Sequence, residues 1–398
     1  MADAAERGHY EERVWEPNFA QSGRLHNRRA KYRAFVPDPI ADLEPELSTA
    51  TSAASEYAGA ATRELNASAK ALRSLEGLAR QLLRSEALAS SAIEELQLSH
   101  RKLARAEMEG EKGEYTAKEV LGNVRAMEEG IRIGARTDRL TVDDIRAIHR
   151  ALAIVPPLDR IAGEIREEQG WIGGGSPPAA VYVPPPHEYL PGLIGDLCEF
   201  MNRDDISPVA QAAIAHAQFE TIHPFGDGNG RVGRCLIHVL FRRSEIAVNY
   251  VPPVSLVLGA KKDSYIAGLE AFRNGDVDRW VDQFAGAVEV AAIHAEAFSA
   301  EITRLQEQWI EQAGSMRADA AARAIIDLLP AHPIVTAATV EQVTKRSRVT
   351  AINGLERLAE VGILTRRRNQ RKGDSWEAKE LFMLLGQFEE RLRGPHGR

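Results

Sequence analysis

Cysteine is almost absent from this chain of 398 residues: only Cys198 and Cys235 occur, both in apolar helical settings, DLCEF and RCLIHVLF. Two such thiols make no credible zinc cluster and read as reduced and buried, which favours a reducing compartment. No run of roughly 18 apolar residues exists to cross a bilayer. The first residues, MADAAERGHYEERVW, lack the basic start and apolar stretch of a leader. The chain therefore reads as soluble and cytoplasmic, with no membrane partner. A P-loop pattern is missing as well.

What is present looks globular. Hydrophobic residues make up 44% and charged residues 27%, near the averages of folded proteins, and the length suits two or three compact domains. The formal net charge of -7 is unevenly spread: residues 331–398 hold 13 Lys and Arg against 8 Asp and Glu. That tail is therefore basic (+5) and the remainder acidic (-12), a contrast that suits an acidic partner such as nucleic acid at the tail.

Along the chain, Pro17, Pro37, Pro39 and Pro45 exclude long helices from residues 1–50, which are expected to wrap irregularly over the surface of the downstream helices. Residues 48–108 are rich in Ala, Leu, Glu and Arg, with Leu72, Leu75, Leu78 and Leu82 at helical spacing. Residues 115–153 read likewise, with Thr141 as a helix cap. Over 161–186 the pattern turns to GWIGGG, SPP, AAVYV and PPP, a short hairpin or flap bounded by helix breakers. Helices return over 190–201, 208–222, 232–243, 261–272 and 280–308, so the chain is mainly α. Two of them, VAQAAIAHAQFETI and VGRCLIHVLF, are apolar nearly all round, as at the centre of a bundle. The link between them, HPFGDGNG, is polar and rich in glycine.

That link concentrates chemistry. Gly226, Gly228 and Gly230 allow positive φ and close approach of a ligand to the main chain. The helix after them adds the positive end of its dipole, with Arg231 and Arg234 three residues apart on its first turn. Asp227 is a hard carboxylate suited to Mg²⁺, and His223 can accept a proton from a hydroxyl near neutral pH. Alone, a histidine at a helix end is usually a cap or core residue, and an arginine pair is usually a solvated face. Base, carboxylate, anion nest and cations within twelve residues point instead to transfer from a metal-bound nucleotide to a hydroxyl. Gly228, Gly230 and Gly233 also spell a dinucleotide-binding fingerprint, but that pattern must follow a strand, and the fourteen preceding residues are helix-like.

The segment HPFGDGNGRVGR, residues 223–234, resembles the signature loop of the Fic family at every defining position. The resemblance extends upstream through REEQGWIGGG and VYVPPPHEYLPGLIGDLCEFMN and covers residues 115–300, with a looser likeness over 1–110. It implies a Fic-type helical bundle with a short β-hairpin flap. By it His223 would be the base, and Asp227 and Asn229 would serve Mg²⁺ and phosphate. Phe225, Gly226, Gly228, Asn229, Gly230, Arg231 and Arg234 would line the nucleotide, and attack would fall on the α-phosphate of ATP, with pyrophosphate leaving. The related Doc kinases carry Lys where Gly230 stands, so glycine favours nucleotidyl transfer. The flap residues Ile172, Gly173, Gly174, Val181 and Tyr182 would pair with an extended piece of the target.

Ser90 and Glu94, in SSAIE, resemble the family's inhibitory motif, in which the Glu would pair with Arg234 and take the place of the γ-phosphate. The motif continues with Gly or Asn where this chain has Glu95. Residues 331–398 look like a winged helix-turn-helix, with a turn near Arg346 and Ser347, a recognition helix over 349–360, and Arg366, Arg367, Arg368, Arg371 and Lys372 facing phosphates. The expected domains are thus 1–110 with the inhibitory helix, 111–312 as catalytic core, and 331–398. The leading reading is a protein adenylyltransferase acting on Tyr, Thr or Ser hydroxyls. Self-modification, a homodimer and DNA at the tail are also admitted. Its rivals are removal of AMP by the same loop, with Glu94 positioning a water, and a DNA-binding regulator that merely senses nucleotide.

Overall fold

Two segments with alternating exposure pair near the start of the chain. Strand β1 (Gly8–Trp15) runs antiparallel to β2 (Ala30–Pro37), with Gly8 opposite Pro37 and Trp15 opposite Ala30. The irregular wrap expected over residues 1–50 is therefore corrected to a two-stranded ribbon. The prolines forbid a helix, but Pro37 merely ends β2 and leaves both strands free to form. The computed structural model describes residues 6–16, 29–68, 75–109, 114–136, 138–314, 320–368 and 373–393. Leu72, expected within a helix, lies outside them.

The Ala- and Leu-rich region forms α1 (Thr49–Ser68), α2 (Leu75–Ile93) and α3 (His100–Glu109). Helices α4 (Tyr115–Gly134) and α5 (Val142–Leu152) follow. At the start of α5 the Asp144 carboxylate accepts from both the Thr141 amide and its hydroxyl, each at 2.9 Å, so the expected cap is locked from the helix side. Next come α6 (Leu190–Met201), α7 (Pro208–Ile222) and α8 (Asn229–Arg243). The last begins three residues earlier than its apolar run, because the glycine-rich link supplies its first turn. A seven-residue α9 (Val254–Ala260) was not legible behind Pro252 and Pro253. Then come α10 (Lys262–Arg273) and α11 (Val277–Ala313).

The tail runs α12 (Ala320–Leu328), β3 (Ile334–Thr336), α13 (Ala337–Thr344), α14 (Arg348–Glu360), β4 (Thr365–Arg367), β5 (Ser375–Glu377) and α15 (Lys379–Arg393). Its sheet has the order β3-β5-β4, and both pairings are antiparallel.

The chain forms two compact units, each assembled from segments far apart in sequence. One comprises Met1–Gly59, Gly122–Ile246 and Lys262–Ala287. Its centre is α7 packed on α8: Val209, Ala213, Phe219, Val232, Ile237 and Phe241 are all fully buried. Each buried aromatic or branched side chain there contributes roughly 1.5–3 kcal/mol. Trp280 of α11 is also fully buried and donates its indole N–H to the Ala213 carbonyl at 2.7 Å.

The other unit comprises Ala60–Leu121, Ala247–Lys261 and Val288–Arg398. Leu78 and Leu82 of α2 share a core with Phe298, Trp309, Leu355, Leu385 and Phe388, and the Phe298 and Phe388 rings stack at 4.4 Å. A buried carboxylate, Glu86, accepts from the Ser255 amide at 2.8 Å and the Ser255 hydroxyl at 2.5 Å, which offsets the cost of its burial.

Candidate active site

The link between α7 and α8 begins with a backbone anomaly. His223 caps α7 in the left-handed region, φ 50° and ψ 61°, and its amide donates to the Phe219 carbonyl at 2.9 Å. Glycine or asparagine usually takes such a position, and another L-residue there costs about 1–2 kcal/mol. The imidazole is one-fifth exposed, and its Nδ1 lies 4.0 Å from the Glu220 carboxylate. A proton-accepting side chain is thus held at the mouth of the link by a strained turn.

Asn229 closes the loop from within. Its amide nitrogen donates to the Phe225 carbonyl and its amide oxygen accepts from the Phe225 N–H, both at 2.8 Å. Asn229 was expected to serve metal and phosphate, yet its side chain is turned inward. Phe225, expected at the nucleotide, is likewise buried and stacks on His149 with ring centroids 4.0 Å apart and planes 6° from parallel. Both residues shape the loop. Gly226 and Asp227 are its exposed members.

Among the three glycines of the link, only Gly228 has positive φ, at 81°. The expectation for Gly226 and Gly230 is corrected: Gly230 already lies in the first turn of α8, where φ is helical and the amides of the helix start are in place. A β-carbon at Gly228 would also come within 2.8 Å of Leu152 in α5. Gly233 serves close packing, since a β-carbon there would lie 2.5 Å from the Glu220 carboxylate and 3.0 Å from the Phe219 ring.

Arg231 and Arg234 are 3% and 1% exposed, so the bland reading of a solvated helix face fails. Arg231 lies 3.8 Å from the Asp227 carboxylate, itself 66% exposed. Buried guanidinium groups at a helix start make a site for phosphate. Beneath Arg234 and Gly233, His216 is fully buried and meets the Tyr265 hydroxyl at 2.8 Å. Burial, assisted by the Arg234 charge, pulls this imidazole down to about 3, so it stays neutral beside the cation.

Two residues that the sequence did not single out hold the loop from behind. His149 of α5 is fully buried and accepts the Gly163 N–H on Nδ1 at 2.8 Å, while its Nε2 faces the Asp227 carbonyl at 3.1 Å. Arg166 donates to the carbonyls of His223 at 2.9 Å, Glu168 at 2.8 Å and Pro185 at 2.6 Å. Its backbone N–H donates to Pro224 at 3.0 Å. Burial pulls the guanidinium down to about 10. Their partners are main-chain groups, which leave no trace in side-chain patterns.

The flap is small. Ile172 and Tyr182 form an antiparallel bridge: the Ile172 amide donates to the Tyr182 carbonyl at 2.8 Å, and Val181 and Tyr182 donate back at 2.9 and 3.2 Å. Gly173 and Gly174 follow Ile172 in left-handed conformations, φ 70° and 69°. Val181 is 83% exposed and Ile172 38%, an apolar pair open to a partner. Tyr182 instead anchors the flap, with its hydroxyl donating to the Thr221 carbonyl of α7 at 2.8 Å and Arg273 over its ring at 4.3 Å.

The inhibitory pair lies in the other unit. Ser90 is buried in α2, and Glu94 is exposed just after the last turn. Glu95 takes φ 66°. The Leu96 N–H bonds the Ser91 carbonyl and the Glu95 N–H bonds the Ala92 carbonyl, both at 3.0 Å. That nested pair of hydrogen bonds is a Schellman ending, whose left-handed position normally takes Gly or Asn.

Comparison with known proteins agrees with this architecture. Residues 139–241 match the Fic/DOC family and residues 52–132 the Fic/DOC family N-terminal region. The protein adenylyltransferase fic-1 of Caenorhabditis elegans is 32% identical over 148 residues, 36% of this chain and 26% of that protein. The protein adenylyltransferase Fic of Aedes aegypti is 32% identical over 158 residues, 39% of this chain and 29% of that protein. The chain thus spans little more than a quarter of the length of these relatives. A solved Fic family protein from Desulfovibrio desulfuricans G20 shares the fold, with a TM-score of 0.52 and 21% identity over 84% of this chain and 98% of that one. Residues 139–241, which hold the loop 223–234, thus match the Fic/DOC family domain, and residues 52–132 match that family's N-terminal region.

Proposed function

We propose that this chain is a protein adenylyltransferase, moving AMP from ATP to a Tyr, Thr or Ser hydroxyl of a protein. The observation that carries the reading is the loop itself, where an exposed carboxylate and a partly exposed histidine stand at a helix start flanked by two buried arginines. The target hydroxyl gives its proton to His223 as its oxygen forms the bond to the α-phosphorus, and the bond to the β-phosphate oxygen breaks to release pyrophosphate. Arg231 and Arg234 hold the outer phosphates. A single exposed carboxylate fits Mg²⁺, which takes few protein oxygens and completes its shell with phosphate and water. Bound there through Asp227, the ion supplies charge neutralisation for the phosphates. Ile172 and Val181 of the flap receive an extended piece of the target. The buried thiols Cys198 and Cys235, the former pushed up to about 12 by burial, support a reducing, cytoplasmic setting.

Isotope placement tests the reaction type. Label on the α-phosphate of ATP is expected on protein, including this chain itself, and label on the γ-phosphate is not. Transfer of the γ label would replace this reading with phosphoryl transfer.

A second reading for the tail rests on its element order. Helix, strand, two helices joined by the three-residue turn at Lys345, Arg346 and Ser347, then two strands is the order of a winged helix-turn-helix. Helix α14 exposes Arg348, Val349, Ile352 and Asn353. We therefore propose duplex DNA as a partner of residues 331–398.

A further inference from the structure

A nest that binds phosphate by its amides works only if its peptide groups are turned the right way. A trans peptide points its C=O and N–H in opposite directions, so holding the carbonyl from one side aims the N–H to the other. In the loop 223–234 the Asp227 carbonyl is held in this way by His149 at 3.1 Å; the His223 carbonyl, whose peptide to Pro224 has no N–H, is held by Arg166 at 2.9 Å, which fixes the turn instead.

We propose that His149 and Arg166 are positioning residues, with His149 aiming the Asp227–Gly228 peptide of the anion nest and Arg166 aiming the turn that presents the His223 ring. The inference rests on the adenylyltransferase reading and assigns residues to its geometry.

The tautomer of His149 is fixed by its partners. A carbonyl can only accept, so Nε2 carries the proton toward Asp227. The Gly163 N–H can only donate, so Nδ1 is bare. Both ring nitrogens are used, and the ring face is fixed by stacking on Phe225. With its carbonyl turned to His149, the Asp227–Gly228 peptide turns its N–H away from α5. That N–H is capped by the Asp227 carboxylate at 2.5 Å, an anion in the place a phosphate oxygen would take. A protonated His149 would set an N–H against the Gly163 N–H and lose this arrangement. Burial keeps the ring neutral, its pKa near 4.

Arg166 acts one turn earlier. The left-handed conformation of His223 is unfavourable by itself, and Arg166 holds the chain just after it at two successive carbonyls: Nε bonds the His223 carbonyl and the backbone N–H bonds that of Pro224. The two terminal nitrogens of the guanidinium grip the carbonyls of Glu168 and Pro185 on either side of the flap. One side chain therefore ties the flap stem to the backbone of the base. Small displacements of a reacting group are costly, on the order of a hundredfold for about 1 Å.

The test separates the two roles. His149→Phe keeps a ring over Phe225 but loses both hydrogen bonds, and it should raise KM for ATP about tenfold with a smaller change in kcat. His149→Gln restores an N–H donor for the Asp227 carbonyl and should recover part of that loss. Arg166→Gln should lower kcat by about tenfold to a hundredfold with KM for ATP within about twofold. Arg166→Lys, which keeps the buried charge but not three directed donors, should show the same split. Calorimetric binding of ATP gives a readout independent of turnover: weakened in His149→Phe, unchanged in Arg166→Gln. Folded variants in which kcat and KM change together by equal factors, or in which Phe and Gln at 149 behave alike, would overturn the assignment. If the wild-type chain transfers no AMP, the adenylyltransferase reading fails. The binding contrast then judges the positioning of the nest by itself, and equal ATP affinity in all variants would sink it.

Discussion

His149 and His216 are imidazoles without access to water, and their burial ties stability to acidity. Each has its ordinary value near 6.5 in the unfolded chain and is pulled down in the fold, to about 4 and about 3. Below pH 6.5 the unfolded chain takes up protons that the folded rings refuse. Their stabilising neutrality is therefore intact above 6.5 and lost as pH falls toward 4. For His149 the loss over that window is roughly 3 kcal/mol. The urea midpoint of the wild type should fall on acidification from 6.5 to 4, and His149→Phe should show a shallower fall. An identical slope in the two proteins would mean that His149 is already charged or already exposed. At this scale the residues proposed to bear chemistry were legible in the sequence, because the types His, Asp and Arg at fixed spacing mark them. The residues that aim them were hidden, since Arg166 and His149 act on carbonyls that any sequence possesses.

The end of helix α2 shows how one element combines two demands. Its left-handed Glu95 costs about 1 kcal/mol relative to glycine. Glu95→Gly should therefore raise the denaturation midpoint by an amount equivalent to about 1 kcal/mol, and an unchanged or lowered midpoint would contradict the Schellman geometry. The neighbouring Glu94→Gly is a test of regulation. If Glu94 is inhibitory, as the family resemblance implies, AMP transfer by the variant should rise on the order of tenfold to a hundredfold. If the wild type strips AMP and the variant cannot, Glu94 orients a water and removal is the main activity. If neither reaction changes, Glu94 is an ordinary surface residue. Helices α6 and α7 lay within the expected bounds because apolar periodicity and the prolines at their starts mark them locally. The ribbon of β1 and β2 did not, because its strands are held by each other across a gap in sequence and by a bond from Phe35 to the distant Val183 carbonyl.

For the whole molecule, the basic excess of the tail overstates the charge it offers. Arg366 pairs with Asp374 and Glu356, and Arg367 with the buried Glu377, so two arginines expected at phosphates are already engaged. Arg371 and Lys372 lie outside the described residues. Lys345, Arg346 and Arg348 around the turn make no ion pair among the described residues. If the tail binds duplex DNA, gel-shift affinity should drop steeply with salt, and Arg348→Ala should reduce the salt slope by about one ion. No shift at low salt would favour a protein partner. No helix among the described residues is long and apolar enough to cross a membrane. The proposed chemistry depends on His223 as the base. After incubation with ATP and Mg²⁺, the intact mass of the wild-type chain should increase by one or more AMP groups, and His223→Ala should remain at its unmodified mass. Equal labelling of that variant would contradict the assigned base and the chemistry built on it.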